Sequence, residues 1–196
     1  MTTSTTALTP LTLTGDGLLL RPLSLTDEPA IAEALRDPEI LRWAGGRTVA
    51  EAPEAERARF WLGARLMAWS TGSAVFAITD ATRGADGVML GFLAAREVNR
   101  LPDQAVMTYW ITPAARGRGL ASNALETAAH WALSPTSKGG LGLHRLSLDH
   151  ALANPGSCRV AEKAGFALEG TMRDFYVDPS GLRHDSHLHA RLARPH

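Results

Sequence analysis

Apolar residues along this chain fall into blocks of two periods, and the order of those blocks is the first guide to the fold. Short runs with few charges, at 17–21, 73–79, 88–98, 104–111 and 144–149, have the length of strands buried in a sheet. Other segments carry apolar residues at three- and four-residue intervals, as one-sided helices do. The clearest is Leu120, Ala124, Leu125, Ala128 and Trp131. Thr26 is placed to cap a helix running to about Arg36, and a second helix is expected over 52–70. Residues 37–48 between them read as a loop, and the polar stretch 80–87 reads as a turn joining two adjacent strands.

Later in the chain, Asn154 suits a helix N-cap and Pro155 the first helical position, where a missing N–H costs nothing. That helix runs through Val160, Ala161 and Ala164, and Gly165 ends it. Phe166 then opens a short strand closed by Glu169-Gly170, and a last strand covers 185–192. Strands alternating with helices in this way predict an α/β architecture, a mixed sheet with helices on both faces. The threonine-rich residues 1–16 read as a flexible tail ahead of one domain at 17–196.

The junction between the strand at 104–111 and the helix after it carries the strongest chemical signal. Arg116-Gly117-Arg118-Gly119-Leu120-Ala121 leaves backbone N–H groups bare at a helix N-terminus, where the macrodipole favours anions. Two arginines add forked donors for phosphate oxygens. The glycines stop at Gly119, which fails the G-x-G-x-x-G dinucleotide fingerprint, and no lysine follows, which fails the P-loop.

Composition removes competing classes. Lysine plus arginine total 20 and aspartate plus glutamate total 20, so no broad field attracts nucleic acid or an anionic membrane. The apolar runs are too short to span a bilayer. A single cysteine excludes an internal disulfide and fits a reducing cytoplasm, and the start of the chain lacks the basic region of a signal peptide.

Arg116, Gly119 and Ala121 match the [QR]-x-x-G-x-[GA] turn of the GCN5-related N-acetyltransferases. N-x-x-S at Asn154 and Ser157, then A-E-K-A-G-F-x-L-E-G at 161–170, resemble the C-terminal half of the same family. Leu20-Arg21-Pro22 and D-x-x-L-x-A-R-L at 185–192 are similar to the first and last strands of its ribosomal-protein N-terminal acetyltransferase (RimJ/RimL-like) branch. The motifs run in family order from about Leu18 to Leu192.

The resemblance implies the order β-α-α-β-β-β-α-β-α-β-β, with the sheet split between its fourth and fifth strands, at 104–111 and 144–149. It implies acetyl-CoA as cofactor. Arg116, Gly117, Arg118, Gly119, Leu120 and Ala121 would cradle the pyrophosphate, and Ile111 and Thr112 would pair with the pantetheine arm in the split. Asn154 would bond that arm, Ser157 would give the leaving thiolate its proton, and Tyr109 would lie near the thioester. Arg42, Trp43, Arg47 and Tyr176, on 37–48 and 174–184, would line the acceptor groove. The expected partner is an amine-bearing substrate, first the α-amino group of a protein or peptide. A small-molecule amine such as an antibiotic is the rival acceptor, and a catalytically silent CoA-binding module is the rival of another class. A cytoplasmic protein follows, with a homodimer possible.

One departure changes the chemistry. The family glutamate expected as general base, in A-E-I-G-Y-W, is replaced by Val106 in Ala105-Val106-Met107-Thr108-Tyr109-Trp110. Asp149, His150, Glu97 and Asp103 are the substitutes within reach of the split. A lysine amine of pKa near 10.4 needs roughly 4 kcal/mol to become neutral near pH 7.4, an α-amine near 7.8 less than about 1 kcal/mol, so the loss penalises lysine acceptors most. Cys158 lies in a first helical turn, where the dipole can lower a thiol pKa. His187 and His189 share a strand face with His184 nearby; Asp185 is the one candidate for a fourth ligand, the cluster reads as surface or acceptor-site lining, and no metal is expected.

Overall fold

A computed structural model of the chain describes residues 7–193. Eight strands form one sheet in the order β1-β2-β3-β4-β5-β6-β8-β7. They are β1 (Leu13–Thr14), β2 (Leu18–Pro22), β3 (Ala74–Asp80), β4 (Gly91–Arg96), β5 (Gln104–Ile111), β6 (Arg145–Ala151), β7 (Ala167–Val177) and β8 (Arg183–Leu192). Every neighbouring pair is antiparallel except β5 and β6. A parallel pair needs a crossover, and α5 (Leu120–Leu133) supplies it. This is the mixed α/β sheet that the alternation of periods predicts.

Period-2 alternation assigns each face of the sheet to different helices. Phe76, Leu93 and Tyr109 lie side by side across β3, β4 and β5 on the face that meets Trp131 of α5. Phe92 and Trp110 lie on the other face, where Trp61 of α4 (Glu54–Leu66) packs edge-on against both. Helix α5 buries Leu120, Ala124, Leu125, Ala128 and Trp131, the five residues whose spacing predicts it, together with Ala129 and Ala132.

Several boundaries differ from expectation, each for a local reason. Residues 7–16 do not behave as a tail. Leu8, Leu11 and Leu13 pack against the core, Leu8 N–H bonds the Trp69 carbonyl at 2.8 Å, and Leu13 pairs with Leu20. Leucines interspersed among β-favouring threonines make an edge strand; residues 1–6 of the expected tail lie outside the described residues. Residues 37–48 fold as α2 (Pro38–Ile40), a wide turn at Leu41–Gly45 and the start of α3 (Arg47–Glu51). Asp37 starts α2 by accepting from the Ile40 N–H at 2.9 Å.

Pro53 delays α4 to Glu54. The helix expected from Thr26 is α1 (Glu28–Ala34), preceded by a short turn that Ser24 and Asp27 close as a capping box. Glu169-Gly170 does not end its strand. The register shifts between Leu168 and Gly170, so the glycine marks a bulge and β7 continues as a long hairpin with β8.

Candidate active site

Strands β5 and β6 pair only through Gln104–Arg145, Ala105–Leu146 and Val106–Ser147. Beyond Val106 they part, while β5 remains bonded to β4 through Ile111. The β6-facing edge of Met107–Ile111 is therefore open, and a cleft of about 1000 Å³ enters there and reaches the start of α5. Ile111, Arg116, Gly117, Gly119, Leu120, Ala121, Asn154, Ser157, Tyr109 and Asp149 all line it.

The α5 turn is built as an anion site. Gly117 and Gly119 take left-handed φ of 77° and 76°, open only to glycine at low cost, and a Cβ on either would meet nothing within 4 Å. Among the described residues, no backbone carbonyl accepts from the N–H groups of Gly117 through Ser122. These donors stand at the positive end of a 14-residue helix. Arg116 flanks them but is clasped by Asp37, at 2.9 and 3.2 Å. Burial alone would raise the Asp37 carboxyl, but the Arg116 and Ile40 hydrogen bonds outweigh it and hold it low. Arg118 instead points toward Asp80 at 3.9 Å and does not line the cleft. Thr112 is also committed elsewhere, its N–H and hydroxyl both donating to the Leu90 carbonyl.

Across the split, Tyr109 and Ser157 meet. The Tyr109 hydroxyl lies 2.8 Å from Ser157 Oγ and 3.1 Å from the Ser157 carbonyl oxygen. Burial pushes the Tyr109 phenol up to about 12, so it stays protonated at any working pH. Asn154 caps α6 (Pro155–Lys163) by accepting from the Ser157 N–H at 3.4 Å, which fixes where that hydroxyl stands.

Strand parity separates the two substitute bases on β6. Asp149 shares the face of Val106 and Arg96, one strand over and two residues along from Ser147. Burial raises its carboxyl, with Arg96 pulling the other way. His150 also lines the cleft but takes the opposite face, that of Tyr109, its Nε2 turned to His189 at 3.3 Å, and burial lowers its imidazole. Glu97 is drawn off to Arg100 at 2.7 Å and does not line the cleft. Asp103 lies in the loop before β5, its carbonyl accepting from the His144 and Arg145 N–H groups.

The acceptor-side residues form a second cluster. Arg42 pairs with Asp178 at 3.0 Å, the Tyr176 hydroxyl donates to the Arg42 carbonyl at 2.6 Å, and His184 meets Asp178 at 3.0 Å. Trp43 packs against Tyr176 and His184. Hydrogen bonds from Ser180, His184 and Arg42 hold the Asp178 carboxyl well below the usual range. Arg47 stands apart, exposed and paired with Glu51 at 2.7 Å. Several charged cleft residues carry no motif signal in the sequence, Arg65, Arg96 and Arg159 among them. Arg65 lies over the Trp61 ring at 3.9 Å, the i, i+4 spacing being its only sequence signal, and burial lowers it to about 10. The Cys158 thiol is raised, not lowered, because burial and then Glu162 oppose the thiolate.

A single mixed sheet opening at a parallel pair, with a bare N–H turn at the crossover helix, is an acyl-carrier cleft, and the family match agrees. Residues 17–167 match the Acetyltransferase (GNAT) domain, so the chain belongs to that family of acetyltransferases. It is similar to a Bacillus subtilis (strain 168) protein, YdaF, named as a ribosomal N-acetyltransferase, at 29% identity over 110 residues. That match spans 56% of each chain, about half the length of the relative. Among solved structures, RimL, a ribosomal L7/L12 α-N-protein acetyltransferase in complex with coenzyme A, superposes with a TM-score of 0.74 at 20% identity, covering 93% of this chain and 98% of that one. Mycobacterium smegmatis RimJ gives 0.72 at 23% identity over 94% and 87%. At such identities the structural likeness speaks to the fold. No helix among the described residues is long and apolar enough to cross a membrane.

Proposed function

We propose that this protein transfers the acetyl group of acetyl-CoA to a primary amine, and that the acceptor is the α-amino group of a protein or peptide. The observation that carries the reading is one continuous cleft linking the bare N–H turn at Gly117–Ser122, the open edge of β5 and the Tyr109–Ser157 pair. The residues present fit the cofactor: phosphate oxygens against the turn, and an extended arm laid as an added strand along Met107–Ile111. Acetyl-CoA supplies the thioester. The chain supplies the rest.

Ser157 is placed to pass a proton to the departing thiolate and to regain one from solvent through the open cleft, with Tyr109 holding its hydroxyl and keeping its own proton. The amine arrives from the face of Val106, where burial raises the Asp149 carboxyl. Arg65, Arg96, Arg116, Arg159 and Lys163 line the cleft against Glu39 and Asp149. That balance repels polycations and disfavours an aminoglycoside-like acceptor. An α-amine is already partly neutral near pH 7.4, which suits a site without the family glutamate. The cytoplasm suits such an acceptor, and a homodimer through the C-terminal strands is compatible with this site.

Thiol release from acetyl-CoA tests the reading across N-terminal peptides, lysine peptides with blocked N-termini, aminoglycosides and polyamines. Turnover confined to free N-termini is expected. Turnover of aminoglycosides instead would overturn the acceptor, and CoA binding with no turnover at all would leave a silent binding module.

A further inference from the structure

On the face of β6 and β8 turned away from the acceptor, four side chains converge that no step of acetyl transfer uses. His150 of β6, His187 and His189 of β8, and Cys158 of α6 each offer one ligand atom, all within 4.8 Å of one another. His150 and His187 are direct cross-strand partners, His189 follows two residues along the same face, and α6 lowers Cys158 onto them.

The separations suit one ion. His150 Nε2 and His189 Nε2 are 3.3 Å apart, and Cys158 Sγ lies 3.8 Å from His189 Nε2 and 3.9 Å from His187 Nδ1. Tetrahedral zinc places two imidazole nitrogens about 3.3 Å apart and a nitrogen and a thiolate about 3.6 Å apart.

The hydrogen bonds behind the rings fix which nitrogens are free. His150 Nδ1 lies 3.0 Å from the Ala151 carbonyl oxygen and His189 Nδ1 3.3 Å from that of Phe166. A carbonyl only accepts, so both Nδ1 atoms carry the hydrogens. Both Nε2 atoms of the neutral rings are then bare lone pairs aimed at each other inside the protein. Two acceptors at that distance repel unless a cation lies between them. Backbone carbonyls oriented on the far nitrogen of each ring are also how metal-ligating histidines are held. His150 and His189 are buried, while Cys158 and His187 are partly exposed and leave a way in.

We propose that His150, His187, His189 and Cys158 form a four-ligand site for a divalent transition-metal ion, zinc by its borderline-soft set of three imidazole nitrogens and one thiolate. Binding converts the Cys158 thiol to thiolate and releases that proton to solvent. Because Cys158 follows Ser157, the ion ties the first turn of α6 to β6 and β8 and steadies the Ser157 hydroxyl against Tyr109. The site stands on its own geometry and does not depend on the acetyltransferase reading.

The full chain, produced without a histidine tag and stripped with a chelator, is titrated with Co2+ and then Zn2+. One equivalent of Co2+ should bind with tetrahedral d–d absorption and a thiolate-to-cobalt charge-transfer band, and Zn2+ should displace it. Cys158→Ser should abolish the charge-transfer band, and His187→Ala, at a partly exposed position, should weaken affinity at least tenfold. Zn2+ should raise the thermal midpoint of the wild type and not of these variants. Absence of stoichiometric binding, or binding unchanged in both variants, would overturn the site. A chelator-insensitive pairing of His150 and His189 would overturn it too, because a shared proton would then fill the gap.

Discussion

Replacing Asp149 with asparagine removes the only carboxylate that strand parity places on the Val106 face of β6 beside the split. An α-amine of pKa near 7.8 is about 5% neutral at pH 6.5 and about 95% neutral at pH 9, so its own titration gives about a 20-fold rise in rate. A positioned base typically contributes a further factor of about 10²–10⁴, most where the amine is still protonated. The raised carboxyl serves as base only when ionised, so wild-type turnover should be sustained above its pKa and fall below it. In Asp149→Asn, turnover at pH 6.5 should drop at least about tenfold, the deficit should narrow toward pH 9, and the profile should follow the amine. CoA affinity, measured by calorimetry, should not move, because the pyrophosphate turn lies at the other end of the cleft. Equal rates and an unchanged profile would remove Asp149 from the mechanism.

Four further outcomes are expected. Gly119→Asp puts an anion and a side chain at φ 76° into the phosphate path, and should weaken CoA binding at least about 100-fold, while left-handed strain of about 1–2 kcal/mol lowers the thermal midpoint by a few degrees with no clash added, since nothing lies within 4 Å of the new Cβ. Ser157→Ala and Tyr109→Phe should each lower kcat with CoA affinity retained, and the double variant should be no worse than the poorer single one, because the two hydroxyls act as one unit. Asp178, held low in the folded protein, stabilises the β7–β8 hairpin above the unfolded carboxyl pKa near 3.9, and that contribution is lost as pH falls through the lower folded value. Arg42→Ala removes one of the groups holding it low and should move the onset of acid unfolding, followed by circular dichroism, to higher pH; an unchanged onset would mean that the ion pair adds nothing. Val106→Glu, beside Arg96 and Ser147, should raise turnover of lysine peptides more than that of N-terminal peptides, and an unchanged ratio would mean that groove shape alone selects the acceptor.

Much of the frame was legible because it is local. The periodicity of Leu120–Trp131, the Asn154-Pro155 start of α6 and the glycines at 117 and 119 each encode their geometry in a few residues. What escaped depends on residues distant in the chain. Arg116 reads as a free phosphate ligand until Asp37, far upstream, is seen to clasp it. Asp149 and His150 are equal candidates in a linear reading, and only the pairing of β6 with β5 and β8 sends them to opposite faces. His187 and His189 lacked a fourth ligand in their own segment because the other two donors come from β6 and α6. Leu8, Leu11 and Leu13 looked like tail because a two-residue edge strand has too few positions to show a period.

The division of the sheet explains how a site can lose its glutamate and keep its purpose. On β5, Tyr109 faces Ser157, while Val106 and Thr108 lie on the opposite face, by which the proposed reading brings in the amine. On the proposed reading, proton delivery to sulfur and proton removal from nitrogen fall on opposite faces of one strand pair, and substitution at 106 leaves the Tyr109–Ser157 pair untouched. For the base that Val106 cannot be, we propose Asp149, the carboxylate that β6 presents on the same face. Arg42 and Asp178 neutralise each other beside Tyr176, while Arg65 and Arg96 set two positive charges in the cleft. An acceptor that must shed a proton gains from that field, because a positive surrounding lowers an amine's pKa. For an α-amine a modest lowering completes the deprotonation, whereas a lysine needs about three units. Under the proposed function, the same arginines that disfavour polycations favour the N-terminal amine over the side-chain amine.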